Sequence, residues 1–316
     1  MRILVTGASG FVGRCVVNLQ TKHDDLIVRA AFRKLGERPG KFEAVEIGEL
    51  NNQTEWRTAL QKVDVVIHLA ARVHVMHDTA TDPLAEFRKV NVAGTENLAR
   101  QAAAAGVRRL VYVSSIKVNG EGTQPGRQFA ETDIPNPQDP YGISKWEAEQ
   151  VLHQVSQETG LEVVIVRPPL IYGAGVKGNF IQMLKVLAKR IPLPLASVHN
   201  QRSLLYVENL VDALLLCATH PAAAGQTYLV SDGDDISTPE LLRQLGMGMG
   251  SPARLFPFPP SLLKLLARLT GKTEQIERLL GSLRIDSRKI RQELGWTPPY
   301  STQQGLRLTA EQYRRT

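Results

Sequence analysis

Thr6–Gly13 reads TGASGFVG, directly after the short apolar run Arg2–Val5 and directly before a helical pattern. Gly7, Gly10 and Gly13 stand at G-x-x-G-x-x-G spacing. Glycines so placed serve a tight turn, a close backbone approach to a pyrophosphate and close helix–strand packing. A helix that starts there presents unpaired N–H groups and a positive dipole end to the phosphates. A glycine pattern alone is weak. With a strand before it and a helix after it, the stretch reads as a dinucleotide-binding turn, completed by Ser9, Phe11 and Val12.

Outward from that turn, Ile27–Phe32, Val63–Leu69, Arg109–Val113 and Val163–Val166 are further short, β-branched runs bounded by turn residues. Such runs suit a parallel sheet buried on both faces. Helical patterns lie between them, clearest at Gly94–Gly106 and Ser144–Gly160, each ending on a glycine. The alternation predicts an α/β fold, a Rossmann doubly wound parallel sheet over residues 1–166. Pro168, Pro169, Pro192 and Pro194 then break the pattern. Residues 167–316 are expected to form a smaller C-terminal substrate-binding domain. The helical stretch Tyr206–Thr219 lies in a segment, 203–231, expected to return to the first domain.

The end of the second strand bears on the cofactor. An acid there would accept from the ribose hydroxyls of NAD, whereas an Arg accommodates the extra phosphate of NADP. Arg33 stands there with Lys34 beside it and no acid, which favours NADP(H) and keeps NAD(H) as the second reading.

Tyr141-Gly142-Ile143-Ser144-Lys145 carries Y-x-x-x-K. On a helix those two positions share a face. A free phenol ionises near pH ~10, too high for acid–base work at neutrality, and a nearby cation favours the phenolate. Lys145 is expected to be that cation. Ser114 and Ser115 end the strand VYVSS, at the edge where parallel sheets place their ligands.

Composition narrows the function classes. Net charge is +7, but no block of like charges exists and aromatics are 6%, which argues against nucleic acid and for anionic small ligands. Cys15 and Cys217 are far apart and read as reduced, buried thiols, and no metal-ligand spacing occurs. Met1 runs straight into a strand without a signal-peptide layout, and no apolar run approaches membrane-span length. A cytoplasmic protein without membrane insertion is expected. Ser261–Thr270 (SLLKLLARLT) reads as an amphipathic helix. A core or lid packing face is the first reading of it, and a membrane-surface helix the second.

Taken together, TGASGFVG, His68-Leu69-Ala70-Ala71, Asn91-Val92-Ala93-Gly94-Thr95, VSS, YGISK, and Arg167-Pro168-Pro169 before Tyr172-Gly173 resemble the extended short-chain dehydrogenase/reductase family, its nucleotide-sugar epimerase/dehydratase group. The resemblance spans nearly the whole chain. It implies Ser115, Tyr141 and Lys145 as the catalytic triad and Asn91 as adenine-side or proton-relay scaffold. Leu69, Ala70, Ala71, Pro168 and Leu170 would wall the cofactor, and Glu49-Leu50 would stand near the adenine. Asn179, in Gly178-Asn179-Phe180, and Arg202 would meet the nucleotide diphosphate, with Arg284 near the place of a second phosphate-binding Arg. A homodimer through the helices of 94–106 and 144–160 is implied as well.

Dehydratases of the group carry an acidic pair just after the strand-end hydroxyl, where this chain has Ile116 and Lys117. The stretches Ala71–Met76, Ser114–Glu121 and Gly142–Glu149 resemble bacterial reductases of UDP-4-keto-6-deoxy-N-acetylhexosamines, which act in surface-polysaccharide synthesis. The first expectation is therefore a 4-reductase. A UDP-hexose 4-epimerase is second, a reductase of a hydrophobic carbonyl third, and a non-catalytic NADP-sensing protein the alternative from another class.

Overall fold

The computed structural model describes residues 1–21, 25–36, 42–73, 81–271 and 273–315. His74–Met76 of the ARVHVM stretch lie outside the described residues. The strands are β1 Arg2–Thr6, β2 Ile27–Phe32, β3 Glu43–Glu46, β4 Val65–His68, β5 Arg109–Val113, β6 Glu162–Arg167, β7 Leu170–Tyr172, β8 Leu204–Tyr206 and β9 Thr227–Leu229. The first helices are α1 Phe11–Val17, α2 Pro83–Arg88, α3 Gly94–Ala104, α4 Pro140–Thr159, α5 Asn179–Ala188 and α6 Val207–Thr219. Then come α7 Thr238–Gly248, α8 Pro260–Leu269, α9 Thr273–Leu280, α10 Arg288–Leu294 and α11 Thr302–Arg315.

Seven strands form one sheet in the order β3-β2-β1-β4-β5-β6-β9, every pair parallel. Helices cover both faces, which is why the middles of the central strands are continuously apolar rather than alternating. On one face Val16, Leu210, Leu214 and Cys217 of α1 and α6 pack on Ile3, Val5, Val28 and Ile67. On the other, Leu98, Ala102, Ala148 and Leu152 of α3 and α4 pack on Leu4, Val66, Leu110 and Ile165. A separate core lies under β7 and β8, where Tyr172, Phe180, Leu184, Leu242, Leu245 and Leu306 meet.

Several elements depart from the sequence reading. α4 starts at Pro140 rather than Ser144, because Asp139 caps it by accepting from the Gly142 amide and proline suits its first turn. Tyr141 is thereby helical. β9 joins the sheet beside β6. Three residues long, it gives too short an apolar run to be seen as a strand. Cys15 is only partly buried, whereas Cys217 is fully buried and its thiol is pushed up to about 12 by desolvation.

Candidate active site

The glycine turn is shaped by contact. Gly7 has φ +67°, and a Cβ there would stand 2.7 Å from the Ala70 amide nitrogen. A Cβ on Gly13 would stand 2.2 Å from the Gly7 carbonyl oxygen. No side chain could sit at either place without moving backbone. Gly10 precedes α1 with no side-chain cap, so the amides of the first turn, Phe11 and Val12 among them, keep their donors for an anion. Ser9 and Gly10 are exposed at the rim.

A buried chain of hydroxyls and imidazole fixes the neighbouring strand ends. The Thr6 hydroxyl accepts from the amides of Leu69 and Ala70, both at 3.1 Å, and lies 2.6 Å from His68 Nδ1. His68 Nε2 lies 2.9 Å from the Thr95 hydroxyl. Because Thr6 already accepts twice, its proton goes to Nδ1, and Nε2 keeps the ring proton and donates to Thr95. Burial, with Lys145 nearby, lowers the His68 pKa to about 3, so the ring is neutral. The backbone of Leu69 and Ala70 is thus locked against Gly7, with Ala71 following half-buried.

Arg33 follows β2 with its side chain exposed, and its guanidinium lies 3.9 Å from Glu49, equally exposed. An exposed pair of that length holds little energy, so Arg33 can turn to another anion. Leu50, by contrast, is buried in the core beneath Gly94.

The second cluster sits past the end of β5. Ser115 stands beside the Tyr141 phenol, and its Oγ accepts from the Lys117 amide at 3.2 Å. Lys145 is one helical turn beyond Tyr141 on α4, 2% exposed, with Nζ 4.1 Å from the centre of the Tyr112 ring. Burial pushes Tyr141 up to about 12, aided by the Asp139 charge and opposed by the Ser115 hydrogen bond. Burial likewise pushes Lys145 down to about 7, opposed by the carboxylate of Glu149. Burial, rather than the Lys145 charge, thus has the largest influence on the phenol. A desolvated amine near 7 is only partly charged at neutrality, and the phenol here is a proton donor rather than a phenolate.

Of the two positions after Ser115, Ile116 is buried and Lys117 pairs with Asp139 and, at 2.9 Å, with Glu121. Neither can serve as an acid toward a leaving hydroxyl.

Support for this cluster comes from two networks. Asn91 is buried within a single π-helical turn, Lys89–Ala93, that joins α2 to α3. Its Oδ1 accepts from the Arg72 amide at 2.7 Å, and its Nδ2 donates to the Arg72 carbonyl and to Ser144 Oγ, each at 3.0 Å. Ser144 in turn donates to the Tyr141 carbonyl at 2.8 Å. Behind α4, Glu149 is fully buried and takes both arms of Arg167, at 3.0 and 2.5 Å, together with the Ser114 hydroxyl. Arg167 also donates to Asn119 at 3.0 Å. The pair clamps the ends of β5 and β6 to the helix that carries Tyr141 and Lys145. Beyond Arg167, Pro168 is buried and its carbonyl accepts from the Ile116 amide at 3.0 Å, while Leu170 is 42% exposed.

The remaining candidates belong to the other lobe. Asn179 is exposed at the start of α5. Residues 201–203 run beside 283–285, which places Arg202 and Arg284 on adjacent segments. The Arg202 guanidinium donates to the Arg278 carbonyl at 2.8 Å and to the Gly281 carbonyl at 3.3 Å. Arg284 pairs with Asp235 at 2.6 Å. Asp235, Asp139, Glu149 and the charged partnership of Arg167 were all missed in the sequence. Only the i, i+4 relation of Lys145 and Glu149 offered a signal.

A model of the NAD dependent epimerase/dehydratase family matches residues 3–231. The chain is 43% identical over 312 residues to a UDP-glucose 4-epimerase of Vibrio cholerae, covering 98% of this chain and 95% of that one. It is 31% identical to a UDP-glucose 4-epimerase of Mycolicibacterium smegmatis, covering 99% of both chains. The solved structure of a UDP-glucuronic acid 4-epimerase from Bacillus cereus in complex with NAD superposes with a TM-score of 0.79 at 19% identity, over 100% of this chain and 99% of that one.

Proposed function

This chain belongs to the NAD dependent epimerase/dehydratase family, and from that premise we propose that it is a nucleotide-sugar 4-epimerase. Such an enzyme oxidises the C4 carbinol of a UDP-hexose and reduces the ketone again from the other side. The observation that carries the chemistry is Ser115 set beside the half-buried Tyr141 phenol, with the buried Lys145 one turn away on α4, at the same sheet edge as the glycine turn. The choice of C4 and of UDP-hexose leans on the activity of the Vibrio cholerae relative.

The residues present fit a dinucleotide. Gly7, Gly10 and Gly13 leave the room it needs, the first turn of α1 offers amide donors, and Leu69–Ala71, Pro168 and Leu170 offer apolar surface. Bound NAD(P) would supply a hydride acceptor and donor and, when oxidised, a positively charged ring. Once ionised beside the charged Lys145, Tyr141 Oη would take the carbinol proton as the sugar is oxidised and return it as the ketone is reduced. Ser115 would hold the same oxygen and keep it in line with Tyr141. Lys145, poised near neutrality, would hold a cofactor hydroxyl and favour the ionised phenol once charged. Arg202 and Asn179 would receive the diphosphate, and an Arg suits that task because its fork binds phosphate bidentately.

A 4-reductase of UDP-4-keto-6-deoxy-N-acetylhexosamines remains the second reading, and Arg33 is what favours it. A reductase draws fresh cofactor each cycle. An epimerase regenerates its own. Without free cofactor added, the purified protein should interconvert UDP-glucose and UDP-galactose, and it should not consume NADPH stoichiometrically with a UDP-4-keto sugar. The opposite pair of results replaces the epimerase by the reductase. Loss of both activities would leave neither.

The cofactor choice is tested separately. Arg33 at the end of β2 is proposed to prefer NADP(H) over NAD(H), and in Arg33→Ala that preference should drop by roughly tenfold or more, the scale of one charge-assisted phosphate contact. Fluorescence titration with NADPH and NADH measures it. Equal or tighter NADH binding by the unaltered protein would show that Arg33 meets no 2′-phosphate.

A further inference from the structure

Helix α8 wears its leucines on the wrong side for a lobe surrounded only by water. Leu263 and Ala267 are its buried residues. Leu262, Leu265, Leu266 and Leu269 are exposed by 46, 53, 50 and 77%. Their spacing of three, four and seven residues puts them in one stripe along the helix. Lys264 and Arg268, one turn apart, stand exposed beside that stripe. Phe256, 42% exposed, lies just ahead of the helix. A single exposed leucine needs no explanation, whereas a continuous stripe marks a contact surface. The expected packing face is thus only half of the helix.

Charge says what that contact is. Residues 252–272 contain Arg254, Lys264, Arg268 and Lys272 and neither Asp nor Glu. The next acids, Glu274 and Glu277, belong to α9. A leucine stripe edged by cations fits a surface that is apolar beneath and anionic at its face: leucines enter the acyl boundary while Lys and Arg meet phosphates. A second copy of this chain fits it poorly. A two-fold contact sets the same patch against itself and would oppose Lys264 and Arg268 to their own copies, and α8 itself holds no acid to relieve them. Among the described residues no helix is long and apolar enough to cross a membrane. The contact is therefore peripheral.

We propose that α8 docks this protein on the surface of a bilayer containing anionic lipid. The docking does not depend on which reaction the active site performs. It does set the orientation of the substrate side. α9 packs on α8, and the Arg278 and Gly281 carbonyls at its end hold Arg202.

Co-sedimentation with vesicles of phosphatidylethanolamine and phosphatidylglycerol in equal parts tests this, with phosphatidylcholine vesicles as the neutral control. The protein should pellet with the anionic vesicles alone, and less so as salt rises. Exchanging Lys264→Glu together with Arg268→Glu should weaken partitioning by about thirtyfold or more. Leu265→Gln together with Leu269→Gln should weaken it by roughly tenfold or more. All four positions are exposed, so both variants should keep the wild-type melting temperature and turnover. Absence of binding to the anionic vesicles overturns the proposal, as does equal binding to both kinds. So does a wild-type dimer that the leucine pair dissociates in a protein that binds no vesicle, since a second copy would then cover the stripe.

Discussion

Tyr141→Phe should lower turnover by about two to four orders of magnitude, the usual worth of a positioned acid–base group. The substitution removes one oxygen and leaves the ring, so the edge contact with Phe87, at 6.1 Å between ring centres, is retained. The fold should be untouched. Cofactor affinity should change little, because the glycine turn and the Leu69–Ala71 backbone are distant from the phenol oxygen in the chain and independent of it. Single-turnover assays with sugar nucleotide, alongside a cofactor titration, separate the two effects. Turnover within a factor of a few of wild type would remove Tyr141 from the proton path. A collapse of cofactor binding would instead make it a structural residue of the cradle.

The second large effect falls on stability. Glu149→Ala should destabilise the protein by about 3–5 kcal/mol, the cost of leaving one member of a buried ion pair without its partner. Arg167 is 4% exposed and would keep its charge against Trp146 and Asn119 with no carboxylate to meet it. Ser114 would lose its acceptor as well. Replacing Glu149 and Arg167 together by leucine should recover much of the loss, since no lone charge is then buried. The recovered protein should still be a poor enzyme, because Lys145 has lost the carboxylate that supports its charge. Urea unfolding of the two variants measures this. A single-variant loss under about 1 kcal/mol would show that the pair is not what holds β5 and β6 to α4.

Much of this architecture was legible in the sequence, for physical reasons that can be named. Parallel strands buried on both faces are apolar along most of their length, so β1, β2, β4, β5 and β6 stand out as short runs. The glycine turn is legible because it is a steric demand, and Gly13 shows it: even one carbon there would collide with the Gly7 carbonyl. What escaped was pairing at a distance. Glu149 and Arg167 look like ordinary surface charges along the chain, and only the fold reveals that both are buried and facing. The resemblance places Arg284 near a phosphate-binding Arg, and its pairing with Asp235, far away in the chain, is visible only in the fold. The weight of burial on the acid–base pair was hidden for a related reason. Spacing brings a lysine near a tyrosine, but only the packed structure shows how much water both have lost, and that loss moves each value more than either charge does.

The late arrival of β9 matters most while the protein is being made. A ribosome that has released the chain through Arg167 has delivered six strands of the sheet, yet the outer edge of β6 at Ile165–Arg167, paired with β5 on its other side, still has no neighbour. The nascent protein shows solvent a row of unpaired amides and carbonyls on an apolar strand, and α6, which covers one face, is not yet synthesised. Synthesis proceeds at roughly 5–20 residues per second, so this sticky edge persists for some seconds. A messenger cut at that point would encode an aggregation-prone fragment rather than a nucleotide-binding module. Fusions and split reporters belong instead in an exposed turn such as Gln124–Arg127, where no strand is left waiting for its neighbour.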